Sequence, residues 1–251
     1  MTDSEPTIDV EATTPRHYSS FAFYKVDPAW RRLDEQTREE HKAELTEVLD
    51  SWSDRLTLGS YSTVGIRPDA DFCLWRATPE LELLQQMQTD LLSTGLGAWL
   101  DTTYLYTSTT KPSQYQRDVR SEGFVKPRPL DIIHVDRKYM IVYPFVKKRE
   151  WYALPREDRG AMMREHAVIG KNYPGIKLNT SYSFGIDDQE FMTAFEMDST
   201  HEFLDLMMEL RNSRASAYTE RDVPIFTCIK MPVREVLDAL GGARTHVALE
   251  S

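Results

Sequence analysis

Residues 138–173 read KYMIVYPFVKKREWYALPREDRGAMMREHAVIGKNY: a strand, a basic corner and then a helix. Alternation puts Tyr139, Ile141, Tyr143, Phe145 and Lys147 on one face of the strand. Pro144 cannot donate to a ladder, which predicts an edge strand or a bulge there, a common way of aiming a side chain into a pocket. Lys147, Lys148 and Arg149 then gather positive charge in an otherwise acidic chain. The helix opens after Leu154, with Pro155 in its first turn and Glu157 and Asp158 near its positive end. Met162, His166, Ile169 and Tyr173 fall at i, i+4, i+7 and i+11, one stripe of that helix. A histidine inside an apolar stripe demands a reason. The plain one is a neutral core imidazole bonded to a backbone carbonyl. On the same plain reading Tyr143 is a packed aromatic, and Lys147 to Arg149 are a solvated strand end.

The 251 residues suffice for one large domain or two small ones, and at 41% hydrophobic they build a substantial core. A formal charge of −10 argues against a nucleic-acid partner, which wants a basic face. No apolar run approaches the roughly 20 residues of a membrane span, and no signal-peptide pattern opens the chain, so a cytoplasmic location is expected. Cys73 and Cys228 sit in strand-like apolar surroundings and are expected to be buried thiols. No disulfide framework or CxxC metal site is present.

Residues 1–16 are acidic and aperiodic and are expected to form a disordered arm. A strand at Tyr18–Val26, a helix at Asp34–Leu49, strands at Leu58–Ile66 and Phe72–Ala77, a helix at Pro79–Leu92 capped by Thr78, and a strand at Asp101–Thr109 follow. The order then repeats: a strand at Lys138–Val146, the Pro155–Lys171 helix, strands at Ile176–Ile186 and Glu190–Glu196, a helix at Ser199–Asn212 and a last strand at Pro224–Lys230. SYSTVGI at 60–66 answers SYSFGI at 181–186, and residues 77–93 answer 198–213. A repeat of about 120 residues, each β-α-β-β-α-β, is the ferredoxin-like pattern twice over. The expected fold is therefore α+β, two ferredoxin-like halves (17–110 and 138–241) closing their sheets into one barrel within the chain. The polar, proline-punctuated stretch 111–137 reads as their linker, and 242–251 as a tail.

YPFVKKREWYALP, REHAVIGKNY and NTSYSFGIDDQEF resemble signature blocks of the chlorite dismutase superfamily, and within it the coproheme decarboxylases. The likeness extends through Tyr61–Trp75, VKPRP at Val125–Pro129, and Val223–Gly241, so it covers residues 18–241 with the blocks in order. It independently implies a dimeric α+β barrel, assembled into homopentamers. It also implies oxidative decarboxylation, the two-round conversion of iron coproporphyrin III (coproheme) to haem b by hydrogen peroxide, with possible transient contact to the ferrochelatase that supplies coproheme.

A lone histidine cannot build a four-ligand zinc site, but one axial histidine suffices for haem, whose porphyrin supplies four ligands. The resemblance makes His166 that ligand. Propionates need cations and polar donors, which Arg128, Lys147 and Lys148 offer. Tyr143 and Lys147 share a strand face about 13 Å apart, a spacing that suits a redox tyrosine at one propionate with a cation nearby. The resemblance implies that peroxide oxidises the bound iron, that the oxidising equivalent passes to Tyr143, and that its radical takes hydrogen from a propionate β-carbon as carbon dioxide leaves. Trp151 resembles a family position near the pocket and is a candidate second redox aromatic, or a packing residue. True chlorite dismutases carry a distal arginine on the strand after the proximal histidine; here Leu178, Asn179 and Thr180 stand there. Lys126 stands where a linker histidine would serve as distal base, with His134 nearby, and the distal base stays open. The alternatives are a chlorite dismutase, a weak haem peroxidase, or a non-catalytic haem-binding protein.

Overall fold

A computed structural model describes residues 16–113, 115 and 136–241. Its elements are β1 (Tyr18–Val26), α1 (Glu35–Ser51), β2 (Thr57–Ser62), β3 (Phe72–Thr78), α2 (Leu81–Leu92), β4 (Leu100–Thr109) and β5 (Tyr139–Lys147). There follow α3 (Arg149–Ala153), α4 (Arg156–Lys171), β6 (Lys177–Tyr182), β7 (Phe191–Met197), α5 (Thr200–Arg211), β8 (Thr219–Arg221), β9 (Phe226–Lys230) and α6 (Val233–Ala239).

The strands run β7-β6-β4-β1-β3-β2-β9-β5-β8 in one sheet, and a further β7–β5 pairing closes the ring, leaving β8 appended to β5. Within the ring, β4-β1-β3-β2 and β9-β5-β7-β6 repeat one order: the fourth, first, third and second strand of each half. That is the ferredoxin-like arrangement twice, as expected from the repeat. The halves join through two short seams, Tyr61 and Ser62 of β2 opposite Lys230 and Ile229 of β9, and Thr109 of β4 opposite Tyr182 of β6. Closure removes the unpaired edges that either half alone would expose.

Alternation sorts each strand's side chains to two faces. Phe21, Phe23, Tyr61, Cys73, Trp75, Met140, Val142, Met192, Phe226 and Cys228, drawn from both halves, fill the barrel. Phe21 stacks on Trp75 at 5.1 Å and Phe23 on Phe226 at 3.8 Å between ring centroids. The interior is therefore packed, and each such side chain contributes about 1.5–3 kcal/mol by leaving water. Cys73 and Cys228 are free, buried thiols. On the outer face of the first half, Ala22, Tyr24, Val26, Phe72 and Leu74 are covered by Leu45 and Leu49 of α1, Met87 and Leu91 of α2, and Val236 and Leu237 of α6. On the second half, Ile141, Tyr143, Phe195 and Met197 meet Phe203 and Leu206 of α5, with Ile169 of α4 and Tyr173 just past its end partly buried beside them.

The pseudo-symmetry is visible atom by atom. β2 and β6, expected to run to Ile66 and Ile186, stop at Ser62 and Tyr182 because Gly65 (φ +75°) and Gly185 (φ +70°) turn the chain through the left-handed region. In each turn a carbonyl, that of Thr63 or Ser183, accepts from the amides of Ile66 and Arg67 or of Ile186 and Asp187. A carboxylate then straps the turn to the first strand of its half. Asp71 accepts from the Val26 amide at 3.0 Å and donates its own amide to the Tyr24 carbonyl at 2.7 Å. Glu190 accepts from the Lys147 amide at 2.8 Å and donates to the Phe145 carbonyl at 3.2 Å. This correspondence sets Val26 against Lys147, Tyr24 against Phe145 and, two residues back, Ala22 against Tyr143.

Three expectations are corrected. Thr78 ends β3 and does not cap the next helix, which begins at Leu81. The basic corner contains a helical turn of its own, α3. Pro144 is not on an edge: β5 pairs with β7 from Tyr139 to Phe145, while on its other side β9 partners residues 139–142 and β8 takes over at Val146. Pro144 falls in the interval between those two partners, where no ladder amide is required, and the expected bulge appears instead at Val146–Lys147.

The fully buried Lys42 of α1 places its ammonium 2.9 Å from Asp238 of α6, with Glu39 at 4.0 Å. Asp238→Ala strips the nearer counter-charge from a buried cation and should cost about 3 kcal/mol in urea unfolding, whereas Lys42→Met should change stability by less than about 1 kcal/mol.

Candidate functional site

The outer face of β5 leads from Tyr143 through Phe145 to Lys147, and α3 and α4 fold back beside its end. Lys147 is half-buried, donates from its ammonium to the Ala215 carbonyl at 2.9 Å, and lies 4.6 Å from the Trp151 ring and 5.2 Å from that of Phe145. Burial lowers its pKa to about 8, against the opposing pull of Glu190. Trp151 is 2% exposed in α3, tilted against Tyr218 at 5.6 Å and edge-on to Tyr115 at 6.3 Å. It therefore packs, and it does so in contact with the Lys147 charge.

The helical stripe is present, and His166 sits where it crosses from one apolar cluster to another. Met162 packs with Trp151, Tyr115 and Ala215, while Ile169 and Tyr173 pack with Tyr143, Phe195 and Leu178. Burial first, and the nearby Lys147 charge second, lower the His166 pKa to about 4, so the ring is neutral at physiological pH. Among the described residues the imidazole makes no hydrogen bond, so the carbonyl partner of a plain core histidine is missing. A neutral, uncommitted ring nitrogen is what a metal ligand needs. Among the described residues no group of three or more His, Cys, Asp or Glu could hold a metal ion, so an ion bound here takes its other ligands from a non-protein group.

Tyr143, 4% exposed, stacks on Phe195 at 5.9 Å. Its hydroxyl meets the Met207 sulfur at 3.8 Å and the Thr193 side chain, neither of them a base. Burial raises the phenol to about 12. Lys147, Trp151 and His166 are thus brought together, with Tyr143 farther along the same strand face. Arg128, Lys126 and His134 lie outside the described residues. On β6, Leu178 faces the cleft opposite Phe195, but Asn179 points into the barrel and donates to Glu196 at 2.9 Å. Of the residues that stand where a distal arginine would, Asn179 thus faces the barrel and Leu178 the cleft. Sequence reasoning passed over Glu190 and Tyr152, whose carboxylate and phenol pair at 2.6 Å beside Lys147. Open concavities of about 480 and 390 Å³ lie elsewhere, at the Ser53–Leu58 corner and at the barrel mouth near Tyr104, and neither is lined by His166. No helix among the described residues is long and apolar enough to cross a membrane.

The chlorite dismutase family model matches residues 38–231. A coproheme decarboxylase of Mycolicibacterium smegmatis is 31% identical over 183 residues, spanning 72% of this chain and 76% of that protein. A mutant chlorite dismutase from Candidatus Nitrospira defluvii superposes with a TM-score of 0.81 at 27% identity, covering 89% of this chain and 95% of the other. A haem-binding protein from Thermus thermophilus superposes with a TM-score of 0.78, covering 89% of this chain and 94% of the other; at 22% identity that is a likeness of fold alone. Sequence and architecture agree: this chain belongs to the chlorite dismutase family.

Proposed function

We propose that the protein is a hydrogen-peroxide-dependent coproheme decarboxylase that converts iron coproporphyrin III to haem b. The observation that carries this reading is the neutral His166 imidazole, without a hydrogen bond among the described residues, set beside Lys147 on the sheet face that also bears Tyr143. The 31% identical relative bearing the same name supports it. These residues fit an iron porphyrin: one nitrogen ligand, one cation for a propionate and an apolar wall of Ile169, Leu178 and Phe195.

When bound, the porphyrin iron supplies a redox centre that peroxide oxidises. His166 would hold the iron through a nitrogen kept free of protons by burial and by the Lys147 charge. Lys147, mostly charged at neutral pH, trades the Ala215 carbonyl for a propionate, a stronger acceptor. Pairing with that carboxylate raises its pKa again, so binding takes up protons near pH 8. Tyr143 gives up an electron and its phenolic proton. Because Met207 and Thr193 accept protons poorly, that proton has somewhere to go only when a ligand carboxylate is in place. The resulting phenoxyl oxygen would take a hydrogen atom from the propionate β-carbon, which regenerates the tyrosine; the carbon radical would then give one electron to the iron centre and lose carbon dioxide, leaving a vinyl group. Each round consumes one peroxide and one proton and releases carbon dioxide and two waters. Arg128 is proposed as a further propionate partner, and homopentameric assembly and delivery of coproheme by a ferrochelatase belong to the same reading.

His166→Ala should abolish the five-coordinate histidine-ligated spectrum of the coproheme complex; an unchanged spectrum would remove the ligand assignment. In the wild-type complex that spectrum should survive acidification well below 6.5, the ordinary histidine value, because the folded-state pKa is lowered to about 4. Tyr143→Phe should bind coproheme with little change yet lose at least about 100-fold in the rate of the first decarboxylation, read as mass loss of carbon dioxide. Chlorite should not be turned over to dioxygen, since β6 presents Leu178 to the cleft and no guanidinium to hold an oxyanion. Sustained oxygen evolution would overturn that account of the pocket.

A further inference from the structure

We propose that Tyr152 and Glu190 form a second proton-coupled oxidation site, which drains oxidising equivalents left unused at Tyr143. The inference rests on the iron-porphyrin reading above. The Tyr152 hydroxyl donates to Glu190 Oε2 at 2.6 Å, at the short end for a phenol on a carboxylate, and Glu190 is 7% exposed. The same oxygen accepts the Lys147 amide at 2.8 Å. Tyr152 is joined by its backbone to Trp151, whose ring touches the Lys147 ammonium. On its other side it lies edge-on to the exposed Phe184 at 6.0 Å between centroids.

Strapping the backbone does not require the phenol. In the first half Asp71 holds the Val26 amide in the same way, and its other oxygen takes the Lys25 ammonium at 2.7 Å. Only the second half, which carries His166, has a tyrosine on this carboxylate. A bare phenol that loses an electron becomes a strongly acidic radical cation. With a carboxylate already on the hydrogen bond, the proton crosses to Glu190 as the electron leaves, and the products are a neutral phenoxyl radical and a carboxylic acid. The electron would pass by way of Trp151 to the iron site, which would supply the oxidising equivalent; a small one-electron donor in solution, a thiol or an ene-diol such as ascorbate, reached through Phe184, returns an electron as Glu190 returns the proton, and the phenol is restored. Tyr143 has no such base until a propionate arrives. The two tyrosines therefore divide the work: one is oxidised productively with substrate present, the other protects the site when it is absent. Burial, and then the hydrogen bond to Glu190, raise the Tyr152 pKa strongly, consistent with a phenol that keeps its proton until oxidation.

The test has two parts. In haem-free protein, Glu190→Gln should shift the phenolate absorbance titration of one tyrosine downward relative to wild type, and Tyr152→Phe should delete that tyrosine from the titration; failure of both would remove the pair. In the haem b complex, which has no propionate left to react, peroxide should give an electron paramagnetic resonance signal of a hydrogen-bonded tyrosyl radical. Tyr152→Phe should remove that signal and bleach the Soret band several-fold faster, while keeping the histidine-ligated spectrum and the first-turnover decarboxylation rate. An unchanged radical and unchanged bleaching would overturn the proposal. Absence of decarboxylation in wild type, with the Tyr152 radical still formed, would instead sink the functional reading and leave the oxidation site standing.

Discussion

Burial of β5 on both faces is the constraint on which the rest depends. Its inward residues, Met140 and Val142, complete a barrel core to which both halves contribute, and its outward residues, Ile141 and Tyr143, carry the candidate site. A strand so fixed between β7 and β9 has no register to slip into, because a shift by one residue would drive Tyr143 into the barrel and Met140 into the cleft. The barrel is filled, so a planar ligand finds no room inside it. The candidate site lies outside, where the α4 stripe that carries His166 runs from one apolar cluster to another. The loose packing there, with Ile169, Tyr173 and Leu178 only partly buried, contrasts with the closed outer face of the first half.

Much of this was legible in the sequence, and the failures have physical causes. The strand face, the helical stripe and the order of elements followed from periods of 2 and 3.6, which long amphipathic segments state plainly. The repeat was real, but its most persuasive letters were out of register. Hydrogen bonding aligns Thr63-Val64-Gly65-Ile66 with Ser183-Phe184-Gly185-Ile186, which sets Tyr61 against Ser181 and not against Tyr182. What repeats is the need for a left-handed residue at the turn, not the tyrosine. Pro144 was read as an edge marker because sequence shows a missing donor without showing whether a neighbour needs one. The helical turn α3 and the strand β8 were too short to have a period.

The site itself was half legible. As candidates, Tyr143, Lys147 and His166 came from a strand face and a helical stripe and Trp151 from a family resemblance; Lys147, Trp151 and His166 lie near one another. Their electrostatics were not legible, since the coupling of Lys147 to His166 depends on a fold-back that local patterns do not encode. Glu190 was invisible for a different reason: in sequence it is one acid among 40 acidic residues, and only its burial and its two hydrogen bonds distinguish it. Which of Leu178, Asn179 and Thr180 faces the cleft is settled by the alternation of β6, which turns Asn179 inward.

The strap correspondence between the halves has a consequence for stoichiometry. A barrel built from two copies of one unit has, in principle, two equivalent berths for a flat ligand. Here the counterpart of Tyr143 is Ala22 and that of Lys147 is Val26, both wholly inaccessible, and helix α6 with its C-cap residue lies across the berth through Val236, Leu237 and Leu240. The second berth has been converted into core. On the proposed iron-porphyrin reading such a chain would saturate with a single ligand, and the symmetry that built it survives only as scaffold.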